Sequence, residues 1–138
     1  MEFDLELAKQ QSNENPVYYI QYAFARAYNI IEKAKEQNIK FADAEVSFLN
    51  TESELKLIKS MLKLPEIIEI ASDSLEPHHL PYYSIELATS FHGFYDRCRV
   101  ILENDNDLTM ARLKLVSASM MVLSRCLELM GMRSPTSM

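Results

Sequence analysis

Glycine occurs only twice in these 138 residues, at Gly93 and Gly131. An all-β domain needs a turn about every 8–12 residues, and many of those turns rely on Gly to reach positive φ. Five prolines do not make up the deficit, so the chain is expected to be all-α. With 48% hydrophobic residues it has enough apolar material for one core and is too short for two ordinary domains. It shows neither a long uninterrupted apolar run nor a basic-then-apolar start. Membrane spans and secretory signals are therefore not expected.

Helical punctuation is legible along the chain. Asn15-Pro16 reads as an N-cap followed by a first-turn proline. It opens a helix to about Gln37 whose core stripe is Val17, Ile20, Phe24, Tyr28 and Ile31. Residues 38–50 read as a loop held down by Phe41, Val46, Phe48 and Leu49. Thr51-Glu52-Ser53-Glu54 is a capping box and predicts a helix to about Leu64. Pro65 restarts a short helix carrying Ile67, Ile68 and Ile70 to about Leu75.

The spacing of Leu80, Ser84, Leu87, Phe91, Phe94, Cys98 and Ile101 predicts a packed seam on a helix from about His78 to Leu102. After the polar run 103–107, whose last acid is placed to cap, a final helix reaches Met130, with Gly131 as its C′ residue. Leu113, Leu115, Val116, Met120, Val122, Leu123 and Leu127 cover most of its circumference, so it should be the central element. Cys98 and Cys126 fall on apolar stripes and read as buried, reduced thiols. The expected architecture is a single antiparallel helical bundle over 15–138. Residues 1–14, acidic and amphipathic, form a linker or leading helix.

One row does not fit a half-buried helix. Tyr19, Tyr22 and Arg26 repeat at helical spacing about half a turn from the core stripe. Either the helix is buried on both faces with its hydroxyls satisfied at the rim, or two rings and a guanidinium line up to stack an unpaired nucleobase. A second row, His92, Tyr95 and Arg99, flanks the seam and reads in isolation as a solvated edge. His92 is expected to be exposed and Arg97 to point elsewhere.

Charge narrows the choice of partner. The formal net charge is −6, against a long basic groove. Residues 43–76 hold eight acids against three lysines, whereas residues 92–138 hold six Lys/Arg against five acids. A small local RNA contact on the first long helix and the C-terminal half is compatible with that distribution. Glu76-Pro-His-His79 has the Glu-x-x-His spacing of carboxylate-bridged metal bundles. Three histidines in all are too few for a second copy, and Pro77 marks a helix start, so no metal site is expected. No Gly-rich phosphate loop, His-Glu-x-x-His or nucleophile elbow occurs, and no catalytic residues are assigned.

Five segments in order resemble the C-terminal anticodon-binding (DALR) domain of arginyl-tRNA synthetase. They are Asn15-Pro-Val-Tyr-Tyr-Ile-Gln-Tyr-Ala-Phe-Ala-Arg26, Leu75-Glu-Pro-His-His-Leu80, Phe91-His-Gly-Phe-Tyr-Asp-Arg-Cys-Arg-Val100, Ala111-Arg-Leu-Lys-Leu115 and the ending Leu129-Met-Gly-Met-Arg-Ser-Pro-Thr-Ser-Met138. Phe24 stands where the family commonly has His, and the tail lacks the family's Glu-Arg pair. The stretch Phe3-Asp-Leu-Glu-Leu-Ala8 looks like the join to a catalytic domain.

The resemblance implies a helical bundle that grips the anticodon loop of arginine tRNA. It implies a pocket for the middle base, a cytosine, among Tyr19, Tyr22, Arg26, Tyr95 and Met138, with Arg99 as a neighbouring contact. It also implies that ATP, Mg and arginine chemistry belong to a catalytic domain of the same longer chain. That parent would be a cytoplasmic, monomeric arginine–tRNA ligase, and this chain alone would need no cofactor. The competing expectation is a helical protein-interaction module whose tyrosine face docks on a protein without binding RNA.

Overall fold

The computed structural model describes residues 4–138. Of the linker or leading helix expected over residues 1–14, residues 1–3 lie outside the described residues. Six α-helices and one 3-10 turn follow in order: α1 (Leu5–Lys9), α2 (Pro16–Glu36), the 3-10 turn (Val46–Phe48), α3 (Glu52–Leu62), α4 (Leu64–Ser74), α5 (His79–Arg97) and α6 (Asn106–Leu129). No strand occurs among the described residues, in line with the all-α expectation.

Most helix ends fall where side-chain chemistry put them. The Asn15 side chain accepts from the Val17 and Tyr18 amides, and α2 closes through Asn38 in the left-handed region at φ 56. There the Ile39 N–H reaches the Ala34 carbonyl at 2.9 Å and the Asn38 N–H reaches Lys35 at 2.9 Å, the paired bonds of a Schellman end. Gly131, at φ 70, closes α6 the same way, with Met132 N–H on the Leu127 carbonyl at 2.8 Å. The Thr51–Glu54 capping box forms in full. The cap of α6 is Asp105, which accepts from Leu108 N–H at 3.0 Å, rather than the later Asp107.

The core is built by α2, α5 and α6. Leu113, Val116, Leu123 and Leu127 of α6 are fully buried with Leu87, Phe91 and Phe94 of α5, and Ile20, Phe24 and Ile31 of α2 complete the layer. The last helix packs most broadly on α2 and also touches α3, α5 and the 3-10 turn, so the central role read from its apolar circumference holds. Both cysteines are buried and free.

Some expectations need correction. The helix predicted to Leu102 stops at Arg97, and Cys98 is its extended C-cap. Cys98 keeps its burial, but Arg99, Val100 and Ile101 leave the helical register. Of the four residues expected to hold the 38–50 loop down, only Leu49 is buried, joined by Ala44; Val46 and Phe48 are 51% and 44% exposed. The short helix α4 buries none of its residues.

The early end of α5 has a visible cause. Arg112 of α6 donates through Nη1 to the Arg99 carbonyl at 2.7 Å, and the Leu102 N–H donates to Thr109 Oγ1 at 2.9 Å. Arg112 Nε also binds Glu54 Oε1 at 2.6 Å, while Glu54 Oε2 accepts from the Asn50 and Thr51 amides at 3.0 and 2.9 Å. Burial alone would raise the Glu54 carboxyl; the Thr51 amide and hydroxyl and the Arg112 guanidinium reverse that and hold it below its ordinary range. This buried pair ties α3, α6 and the segment after α5 together.

Candidate functional site

Helices α2 and α5 bring Tyr19, Tyr22, Arg26 and Tyr95 into one aromatic cluster. The Arg26 guanidinium carbon lies 4.5 Å from the Tyr22 ring centroid and 4.3 Å from that of Tyr95. The guanidinium is thus in cation–π contact with both rings. Tyr18 extends the row by stacking on Tyr22 at 6.1 Å and 13°. Tyr19 turns its hydroxyl to Thr89 Oγ1, 3.2 Å away. Tyr95 remains 40% exposed, so the cluster opens to solvent on the α5 side.

His92 is placed differently from the sequence expectation. It is buried, not exposed, and sits 4.7 Å from the Tyr19 ring and 5.8 Å from the Tyr22 ring. Its Nδ1 faces Arg26 Nη1 at 3.1 Å and its Nε2 faces the Tyr19 carbonyl at 3.4 Å. Arginine only donates and a carbonyl only accepts, so the imidazole is neutral with its proton on Nε2. Burial is the main force pushing its titration below the ordinary 6.5; the positive Arg26 adds to it, and the Tyr19 carbonyl and Asp96 oppose it.

An NMR titration of the ring should show the Nε2–H form and a midpoint below 6.5. Because the unfolded chain takes up this proton first, His92 contributes stability that is present above about pH 6.5 and lost as pH falls through its native midpoint. A midpoint above that of an unfolded histidine would contradict the assigned bonding.

The remaining expected site residues are Arg99 and Met138. Arg99 is exposed beyond the helix, in a cleft that Tyr95, Asp96 and Arg97 also line. Arg97 therefore shares Arg99's surroundings instead of pointing elsewhere. Met138 is 48% exposed at the end of a tail anchored to α2 by Gln21 Nε2 on the Arg133 carbonyl at 3.0 Å. Asp96, absent from the sequence expectations, places Oδ1 4.0 Å from Arg26 Nη1 with its side chain 69% exposed.

The Glu-x-x-His segment closes a hydrogen bond at the start of α5, with His79 Nε2 3.2 Å from Glu76 Oε2. His78 completes an exposed to half-buried trio with ligand atoms within 4.8 Å of one another. Among the described residues no helix is long and apolar enough to cross a membrane.

Comparison with known proteins places this geometry. The family profile described as the DALR anticodon binding domain matches residues 20–138. The chain is 56% identical over its full length to an arginine–tRNA ligase of Dehalococcoides mccartyi and 43% identical to one of Carboxydothermus hydrogenoformans. In both cases it spans 25% of the relative's length. A crystal structure assigned to an arginyl tRNA synthetase of Campylobacter jejuni superposes with a TM-score of 0.84 at 30% identity, covering 100% of this chain and 30% of that one. With the family profile reaching from the first buried turn of α2 to the last residue, the chain belongs to the DALR anticodon-binding domain family of arginyl-tRNA synthetases.

Proposed function

We propose that this chain is the tRNA-gripping part of a longer, cytoplasmic, monomeric arginine–tRNA ligase, and that the Tyr19–Tyr22–Arg26–Tyr95 cluster receives the middle anticodon base. On this reading residues 1–14 join it to a catalytic domain that uses ATP, Mg and arginine. Residues 15–138 form the RNA-binding unit.

The observation that carries the reading is a donor and an acceptor side by side among the rings. Arg26 offers N–H donors, and the Asp96 carboxylate 4.0 Å away offers an acceptor. Cytosine needs that pair: its Watson–Crick edge has the N4 amino donor beside the N3 and O2 acceptors, and carboxylates are its usual amino partner. Every arginine codon has G in the middle, so every arginine anticodon has C there while its first position varies. Met138 and Arg99 are the further contacts that the family resemblance suggests.

A titration of the chain with anticodon stem-loops differing only at the middle base tests this. The cytosine loop should bind at least about fivefold tighter than its uracil counterpart, the lower end of what one good base-edge contact supplies. Equal affinities would remove base reading from the cluster.

A protein-contact role draws on a different part of the molecule. Leu62, Leu75 and Tyr82 are 73%, 85% and 70% exposed around α4 and the start of α5, at the other end of α5 from Tyr95. These apolar side chains suit contact with the catalytic domain of the parent chain.

A further inference from the structure

Lys33 of α2, Arg97 at the end of α5 and Arg99 just beyond it line one cleft of about 790 Å³. All three side chains are exposed, and none has an acidic partner within ion-pair distance among the described residues. In a chain of net charge −6, three unpaired cations on one cleft are a local exception. The cleft's own acids are Asp96, which already faces Arg26, and Glu103. Tyr95 and Asp96 form a wall shared by the cleft and the aromatic cluster.

We propose that this cleft carries the sugar–phosphate strand leading away from the clustered base, with Lys33, Arg97 and Arg99 on its phosphate oxygens. The inference rests on the RNA reading above and adds the path of the strand. The stop of α5 at Arg97 is what makes it work. In a continued helix, residues two apart point to opposite sides; here the break lets both arginines line one cleft. The Arg112 bond to the Arg99 carbonyl and the Thr109 bond to Leu102 hold that segment in place beforehand, which lowers the ordering cost of binding. Phosphate contacts position a strand without reading it, so the cleft and the cluster divide the work between strength and selectivity.

The test is the salt dependence of stem-loop binding by the full chain with Lys33→Gln, Arg97→Gln and Arg99→Gln combined. Each single-strand phosphate contact contributes about 0.7 to the slope of log affinity against log salt. The triple variant should therefore flatten the slope by about 2, weaken all loops alike and keep the cytosine preference. A control carrying Lys9→Gln, Lys56→Gln and Lys59→Gln removes the same charge elsewhere and should leave the slope unchanged. Far-ultraviolet circular dichroism and the melting temperature check that both variants fold.

An unchanged slope in the cleft variant, or equal flattening in the control, overturns the strand path while leaving base reading intact. A flattened slope with no cytosine preference in the unaltered chain sinks base reading and supports the cleft.

Discussion

Replacing Arg112 with Ala should destabilise the chain by about 3–5 kcal/mol, the usual consequence of stranding one charge of a buried ion pair. Glu54 is fully buried, and without the 2.6 Å bond from Arg112 its Oε1 faces the core with no cation. Its two amide bonds survive and keep the effect from exceeding that range. The sign of the pH dependence follows from the lowered Glu54 titration. A depressed carboxyl adds stability above its unfolded value of about 4.3 and loses it as pH falls through the folded value. Urea unfolding should therefore show a wide gap between wild type and Arg112→Ala at neutral pH and a narrower one in acid. A loss below about 1 kcal/mol, within the range of an exposed pair, would show the pair to be a bystander. Glu54→Leu combined with Arg112→Met should recover much of the loss, because an apolar pair leaves no charge stranded.

The second large effect concerns the tyrosine cluster. Tyr22→Ala should weaken binding of cytosine-centred anticodon loops by about 1–3 kcal/mol, the worth of a base–aromatic stack. The variant also removes one of the two rings flanking Arg26. Arg26→Lys keeps the charge but loses the plane and the fork, so it should hurt in the same way. Its bond to His92 Nδ1 would pass to a flexible ammonium. Losses should be large for cytosine and small for other middle bases. Uniform losses across all loops would reassign the cluster to backbone contact, and no loss with the fold intact would make it a surface for protein.

How much of this was legible depended on whether the deciding forces were local. The Asn15 cap, the Thr51–Glu54 box and the Gly131 terminus are chemistry within a few residues, and all three stand in the structure. The end of α5 was not legible. Cys98 and Ile101 continue the apolar spacing, and no Gly or Pro interrupts residues 94–102. The stop is held by Arg112 and Thr109 of another helix. His92 was misread for a related reason. A histidine with no sequence neighbour to pair with reads as solvated, whereas its partners, Arg26 and the Tyr19 carbonyl, come from α2. The pairing of Tyr19, Tyr22 and Arg26 was visible as a row, but what filled the space between that row and Tyr95 was not. The unpaired state of Lys33, Arg97 and Arg99 is likewise a property of the folded surface, since the sequence places acids close to all three.

Asn15 does more than begin a helix. Its side-chain oxygen takes the Val17 and Tyr18 amides, while its nitrogen donates to the carbonyls of Ala8 and Gln10 at 3.1 and 2.9 Å. Aspartate or serine would cap α2 equally well. Aspartate, however, would set a negative oxygen against those two carbonyls, and serine has one proton for two acceptors. The position is thus a rivet whose two ends have opposite polarity, and only a primary amide supplies both at this reach. The leader and the first turn of α2 are fastened as one lever with Tyr19 a single turn from the fulcrum. The end of α1 and the start of α2 thus share one side chain as their junction, a turn away from the aromatic row.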